Sequence, residues 1–421
     1  MFSPVAQVFA EEWPRLVATL MRDLGDLELA EDAAQDAFVE AAKRWGPATT
    51  PDRPGAWLLT TARRKAIDQL RRRQSMDERL AVLGAMLDQG DDQAEPPASV
   101  IEDSQLAMIF GCCHPSLATE AQVALTLRHV GGLSTAQIAA AFVVGEETMA
   151  KRLVRAKHKV RDANVPFVIP DPERLNDRLA AVLHVIYLIF TEGHAPTDGQ
   201  REPSGVDLVR GSLCDEARWL SRMVADLLPD EPEANGLAAL LCFTDARRHA
   251  RIDADGEMVL LDEQDRSRWD AAANAEGHHR LARALEQQRI GPFQLQAAIA
   301  AIHALAPTAA ETDWAHIANL YRRLMEVAPS AVVALNAAVA ESMVHGPEHG
   351  LTLLDTLEAS GRLERYRFLP AARADLLRQL GRWDDAAEQY RLALDLTTSP
   401  AEQRFLTRRL EDVTRRRSLA R

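Results

Sequence analysis

The sequence predicts an all-α protein, and three observations carry that expectation. The 421-residue chain is 47% apolar but only 5% aromatic, and it is dominated by Ala, Leu and Arg, which are strong helix formers. Residues 132–161, GLSTAQIAAAFVVGEETMAKRLVRAKHKVR, place apolar residues at helical spacing on both sides of a glycine turn. Beyond Pro292, aromatic and glycine positions recur with a period near 35 residues. A chain of this length exceeds one ordinary core, so two to four domains are expected.

In chain order, residues 5–24 read as a first helix with Val8, Phe9, Leu16, Leu20 and Leu24 among its apolar positions. Asp26 or a neighbour starts a second helix, LELAEDAAQDAFVEAAKRW. Its inner stripe is Leu29, Ala33, Ala37 and Ala41, with Asp32, Gln35, Asp36 and Glu40 pointing elsewhere. A proline-rich break precedes a third helix, AWLLTTARRKAIDQLRRR. The segment DQGDDQAEPPAS, within 76–100, has the polar, proline-containing composition of a linker. Two helices, DSQLAMIFGCCHPSL and EAQVALTLRHVGG, then lead into the segment 132–161. There Ser134 and Gln137 form a capping box opening a short helix, Thr135–Phe142. Val143-Val144-Gly145 is the turn. The following helix, from about Glu146 to Arg161, carries Met149, Leu153, Ala156 and Val160 on one face. Thr148, Lys151, Arg155 and Lys159 lie on another, with Arg152 beside them. This is the pattern of a helix-turn-helix: apolar residues seat the recognition helix, and cations and short polar groups reach phosphates and base edges. An ordinary two-helix corner with a solvated basic face has the same pattern.

Net charge is −13, which argues against a chain coated in nucleic acid, but the distribution is uneven. Arg63–Arg73 carries six basic residues and one acid, and Lys151–Arg161 carries six and none. Two concentrated basic stretches in an acidic chain point to two local DNA contacts. Cations at a helix C-terminus also suit its dipole. Beyond residue 170 there is no lysine, and 39 acids face 30 basic residues. No apolar run is long enough for a membrane span. The opening MFSPVAQVFAEEW has acids where a signal peptide is apolar, so the cytoplasm is the expected location. No cofactor or metal is expected. Cys112, Cys113 and His114 are adjacent and cannot converge on one ion with good geometry; they read as a helix end before Pro115 with one cysteine buried.

The first 165 residues resemble an extracytoplasmic-function sigma factor, the smallest class of bacterial RNA polymerase sigma subunits. LAEDAAQDAF is similar to the region 2.2 helix, AWLLTTARRKAIDQLRR to regions 2.3 and 2.4, and ALTLRHVGGLSTAQIAAAF with ETMAKRLVRAKHKV to region 4. The resemblance implies that Asp32, Gln35 and Asp36 meet the β′ clamp helices of core polymerase. It also implies that Trp57, Thr60, Thr61, Arg63, Arg64 and Lys65 melt and read the −10 element of promoter DNA. Glu147, Thr148, Lys151, Arg152 and Arg155 would then face the −35 element, with region 4 also meeting the β flap. Arg64 stands where the family motif usually has Asn, and Glu147 and Ala150 replace the commoner Gly and Lys.

After a short linker, 164–172, some 250 residues remain. LNDRLAAVLHVIYLIFTEGH reads as a buried helix ending at Gly193, followed by SLCDEARWLSRMVADLLP and ANGLAALLCFTDARRHAR. Asp255-Gly256 suggests a tight turn or small hairpin. Asp253, Asp255 and Glu257 alternate as in a calcium loop, but the remaining ligands of such a loop are missing. Trp314-x6-Tyr321 recurs as Trp383-x6-Tyr390, and Gly346 and Gly381 are 35 apart. GRWDDAAEQYRLALDL is similar to the second half of a tetratricopeptide repeat. The layout resembles a sigma subgroup with a long C-terminal extension carrying such repeats. The expected domains are sigma region 2 (1–75), linker (76–100), region 4 (101–163), linker (164–172), a helical extension (173–290) and a tetratricopeptide-like solenoid (291–421).

The function expected from this is promoter-directed initiation by a non-enzymatic sigma factor with a regulatory extension, its repeats holding another protein or contacting region 2 or 4. Two alternatives share its features: a helix-turn-helix activator with a repeat-based sensor, and a repeat scaffold whose DNA binding is vestigial. No acid–base pair or nucleophile is legible in 173–290.

Overall fold

The structure, a computed structural model, describes residues 4–45, 49–72, 98–142, 144–194, 211–253, 257–364, 366–397 and 399–419. Among the described residues there are eighteen α-helices, and the only β pairing is an isolated bridge. The chain divides into two compact units, Met1–Leu188 and Ile189–Arg421. Most of the expected linker 76–100 lies outside the described residues, as do Val143 in the helix-turn-helix and the turn 254–256.

In the first unit, α1 (Pro4–Leu24), α2 (Leu27–Arg44) and α3 (Pro54–Arg72) pack on one another. Asp26 caps α2 by accepting from the amides of Glu28 and Leu29. The buried face of α2 is wider than the expected stripe: it adds Leu27, Ala30, Ala34, Phe38 and one charged residue, Glu31. Trp13, fully buried, stacks on Phe9 at 4.9 Å and lies 6.1 Å from Phe38.

Helix α4 (Ala98–Cys112) packs along α1. Helix α5 (Thr119–Leu125) runs into a π-helical turn, Thr126–Val130, where the Gly131 amide reaches back five residues to the Thr126 carbonyl at 2.9 Å. Gly132 follows with φ +72°, and a Cβ there would lie 3.3 Å from the Trp13 ring, so glycine serves both the left-handed turn and the close approach. Cys112 and Cys113 are both buried free thiols, not one of the two. Cys113 Sγ lies 3.5 Å from Thr126 Oγ1, and burial pushes its thiol up to about 12.

The expected capping box forms. Gln137 N–H donates to Ser134 Oγ at 3.1 Å, and Ser134 N–H donates to Gln137 Oε1 at 2.8 Å. It opens α6 (Thr135–Ala141), followed by α7 (Glu146–Asp162). Met149, Leu153, Ala156 and Val160 are all buried beneath α7. Helix α8 (Pro172–His194) starts before the expected segment and ends one residue after Gly193; the division between the two units falls inside it. Its first half is not the buried helix expected, since Glu173, Arg174, Asn176 and Asp177 are exposed.

The second unit continues with α9 (Gly211–Leu227), α10 (Pro232–Ala246), α11 (Ala271–Glu286), α12 (Pro292–Leu305), α13 (Trp314–Val327), α14 (Ala331–His345), α15 (Pro347–Ala359), α16 (Phe368–Gln379), α17 (Trp383–Leu396) and α18 (Pro400–Leu419). From α10 onward each helix packs on the next. The small hairpin reduces to one antiparallel bridge, Ile252 to Met258. Asp253 is used there as a turn acceptor, taking the Glu257 amide at 2.8 Å. Two ion pairs, Arg404–Glu257 at 2.9 Å and Arg409–Glu263 at 2.6 Å, tie this segment to α18.

Candidate nucleic-acid interface

Helix α7 buries an apolar stripe and exposes a basic face. With the four apolar residues buried, Glu147, Thr148, Lys151, Arg152 and Arg155 are all exposed. Lys151 is drawn to Glu147 by a 2.7 Å ion pair one turn back, and Arg155 Nε donates to the Lys151 carbonyl at 3.3 Å. Val154 is also exposed, at 46%. The sequence reading passed over this apolar residue among the cations, although such a group suits contact with a thymine methyl.

On α3 the expected −10 residues do not all share a face. Trp57, Thr60, Thr61, Arg64 and Lys65 fall at i, i+3, i+4, i+7 and i+8, one side of a helix. Arg64 is exposed and the other four are half-buried. The Trp57 ring sits 5.2 Å from Trp45. Arg63 turns toward α1 instead, where Nη2 meets Asp23 Oδ2 at 2.8 Å and Nε meets the same oxygen at 3.2 Å. The Asp23 side chain is fully buried, so in this conformation Arg63 neutralises an internal charge.

On α2, Asp32, Gln35 and Asp36 are exposed together with Val39, at i, i+3, i+4 and i+7. Asp36 accepts from Gln69 Nε2 of α3 at 3.4 Å. Gln35 donates to Glu31 Oε1 at 3.2 Å.

Glu31 is the residue that sequence reasoning missed. It is 4% exposed. Arg128 approaches Oε1 with Nε at 2.8 Å and Nη2 at 2.6 Å, and Lys157 Nζ lies 3.1 Å from Oε2. Burial works against a charged carboxylate here. The surrounding positive groups (His129 when protonated, Arg128 and Lys157) outweigh it and bring Glu31 down to about 2. His129 is itself fully buried, with neither ring nitrogen partnered among the described residues, and burial brings it down to about 4. It is therefore neutral at pH 7. A signal for Glu31 was present: it is the one charged position on the buried face of α2. Its partners, 97 and 126 residues away, were not legible.

Comparison with known proteins fits this geometry. Residues 8–76 match the family described as Sigma-70 region 2, and residues 107–160 match Sigma-70, region 4. Residues 178–285 match a family of unknown function (DUF6596). An uncharacterized protein of Rhizobium meliloti (strain 1021) is 41% identical over 403 residues, covering 94% of this chain and 93% of that protein. The chain belongs to that protein's family. It carries sigma-70 regions 2 and 4 followed by a helical extension. The ECF RNA polymerase sigma factor SigK of Mycobacterium ulcerans is 29% identical over 157 residues, 35% of this chain and 73% of that protein. SigK of Mycobacterium bovis (strain BCG / Pasteur 1173P2) is 25% identical over 166 residues, 37% of this chain and 83% of that protein. No solved structure matches. These relatives support a sigma-factor role, and sigma factors are non-catalytic initiation factors. No helix among the described residues is long and apolar enough to cross a membrane.

Proposed function

We propose that the chain is an RNA polymerase sigma factor that binds core polymerase and directs initiation at promoters through −10 and −35 elements. The observation that carries this is the pairing, in one chain, of a region 2 domain with an α7 whose Lys151, Arg152 and Arg155 are exposed over a buried apolar seat. A helix-turn-helix activator needs the second feature but not the first.

The roles follow from placement. Asp32, Gln35 and Asp36 form the polymerase-facing surface of α2 and meet the β′ clamp helices. Trp57, Thr60, Thr61, Arg64 and Lys65 face the unstacked −10 bases, where aromatic and cationic groups offset lost stacking. Thr148, Lys151, Arg152 and Arg155 enter the −35 major groove, with Glu147 setting how far Lys151 can reach. Arg63 joins the −10 surface only if it leaves Asp23.

The extension is regulatory in this reading, and its last part is tetratricopeptide-like. The second helices of its pairs, α13, α15 and α17, start at residues 314, 347 and 383, spacings of 33 and 36. A cavity of about 670 Å³ opens among α14, α16 and α18, lined by Asn336, Val339, Met343, Phe368, Gln379 and Phe405 among others. Its mixture of apolar wall and side-chain amides suits a protein partner held as an extended segment.

Reconstituted run-off transcription tests the function. Core polymerase with the full chain and no other sigma should yield promoter-specific transcripts. Initiation that still requires another sigma overturns the reading.

A further inference from the structure

We infer that the extended segment held in the cavity of the second unit is acidic: its carboxylates are received at a cationic end built by Arg247, Arg251 and Arg266 around His303. The inference rests on the reading of that cavity as a groove for a partner's extended segment and names the chemistry of the partner.

The charged residues of the cavity fall into two groups. Those toward α16 and α18 are matched. Arg367 grips Glu402 at 2.6 and 3.1 Å, and the Thr397 hydroxyl donates to the same carboxylate at 2.6 Å. Asp375 accepts from Arg378 at 2.7 and 2.9 Å and from Gln379 at 2.8 Å. Asp262, also in the lining, is exposed.

The other end has cations without bonded acids. Arg266 reaches the C-terminus of α12, where Nη1 donates to the His303 and Ala306 carbonyls at 2.8 and 2.6 Å and Nη2 to the Thr312 hydroxyl at 3.0 Å. All three acceptors are neutral, and the exposed Glu311 attracts Arg266 only from a distance. Arg251 donates to the carbonyl of His194, the last residue of α8. The Arg247 guanidinium, directly after α10, has no hydrogen-bond or ion-pair partner among the described residues. Arginines beside helix ends offset helix dipoles, and that accounts for part of the cluster. Each helix C-terminus carries about half a unit of negative charge, so the ends of α8, α10 and α12 supply about −1.5 against three arginines, leaving an excess of about +1.5.

His303 feels that excess. Its ring lines the cavity beside Trp314, with ring centroids 5.2 Å apart, and its Nδ1 is buried with no partner among the described residues. Burial first, then Arg266 and Arg247, hold it down to about 4. Burial brings Arg247 down to about 10. Burial and then Arg247 bring Arg251 down to about 9, and the attraction of Glu402 and Asp245 does not reverse this. A carboxylate at this end meets uncompensated cations and an imidazole nitrogen free to bond, and charge-assisted bonds are the strong ones. An ammonium group meets the opposite field. The rest of the wall suits what surrounds the acid. Leu260, Val339, Met343, Phe368 and Phe405 are apolar, and the exposed Asn336 carries both a donor and an acceptor for a backbone. An extended segment that alternates apolar residues with Asp or Glu matches both parts, because its side chains alternate in direction.

The test uses the full chain. A phage-displayed library of random heptapeptides is panned on it, and the enriched sequences are made as labelled peptides for fluorescence anisotropy. They should combine apolar residues with Asp or Glu. Affinity should fall about fivefold in Arg247→Met, and by a similar factor when the peptide's acids become amides; both changes together should cost less than the product, because each removes the same attraction. Val339→Trp, which fills the cavity, should abolish binding. Should Val339→Trp fail to fold, Met343→Trp does the same from a position 47% exposed. Neutral or basic peptides that the tryptophan still blocks overturn the acidic occupant and leave the groove standing. Peptides indifferent to the tryptophan, or a library that yields no enrichment, fail the groove reading itself and the inference with it. Decanoate that binds the unsubstituted chain but not the tryptophan variant, with no peptide enriched, assigns the cations to a small organic acid and overturns the peptide.

Discussion

The two compact units both bury ion pairs beside an apolar core, but over different ranges of the chain: Glu402 meets Arg367 35 residues away and Asp245 meets Arg218 27 residues away, whereas the partners of Glu31 lie 97 and 126 residues off. In the first, α4 packs along α1 and Trp13 lies against Gly132, with Glu31, Arg128 and Lys157 forming a charged cluster beside that apolar contact. In the second, successive helices stack through apolar residues such as Leu335, Leu354, Leu377, Tyr390 and Val413. Two carboxylates, one from each unit, differ in charge state. Glu31 has cations around it and stays ionised. Glu216 on α9 has burial and the nearby Asp215 instead, and is pushed up to about 8, so it holds its proton at neutral pH. Burial alone does not fix the state of an acid; the neighbours do.

The largest expected effect attacks the apolar side. Leu354 is fully buried, and Leu354→Ala should cost about 3 kcal/mol through lost burial and the cavity left behind. Chemical denaturation of the full chain measures it. A loss below about 1 kcal/mol would mean that the extension is not held by this core.

Arg128→Ala comes next. It leaves Lys157 as the remaining cation on Glu31 and should cost about 2 kcal/mol, less than the usual cost of breaking a buried pair because that cation stays. The double change Glu31→Gln with Arg128→Met should cost less than Arg128→Ala alone, since no uncompensated charge is left. The reverse order would show that the ion pair itself, not the avoided penalty, stabilises the joint.

Acid sharpens the contrast. Glu31 is held at about 2, so its contribution is complete above its ordinary value of 4.5 and is lost as pH falls through about 2. His129 is held at about 4, below its ordinary 6.5. Between these two values the unfolded chain binds a proton that the folded chain refuses, so stability falls as pH drops from 6.5 to 4. Thermal unfolding of the first unit should therefore move to lower temperature across that window, and His129→Gln should flatten it. A flat profile in the unsubstituted chain contradicts the burial of His129.

The smallest of these effects is local. Ser134→Ala removes one half of the capping box and should cost about 1 kcal/mol, read by denaturation, with no change in the joint between regions 2 and 4.

Legibility in the sequence followed the range of each interaction. The partners of the capping box lie three residues apart and the ends of the α7 seat eleven, so spacing alone revealed both. Arg63 looked like its basic neighbours because Asp23, 40 residues away, left no local mark. Lys157 was read only as part of a basic run, yet it points inward to Glu31 from 126 residues away. The two helices read before residue 130 concealed a π-helical turn, because a one-residue shift from four- to five-residue hydrogen bonding has no compositional signature. Periodicity finds faces; it does not say which charge on a face has a distant partner.

If α7 and region 2 together direct initiation, reversing the charge of the exposed face of α7 must silence the promoter while leaving polymerase bound. Lys151→Glu, Arg152→Glu and Arg155→Glu are combined in the full chain, and run-off transcription is compared with core polymerase binding across salt concentrations. Transcripts from a −35-dependent promoter should fall by at least tenfold, promoter binding should lose part of its salt dependence because phosphate contacts are gone, and core binding through α2 should persist. Unchanged transcript levels from the charge-reversed chain would contradict it.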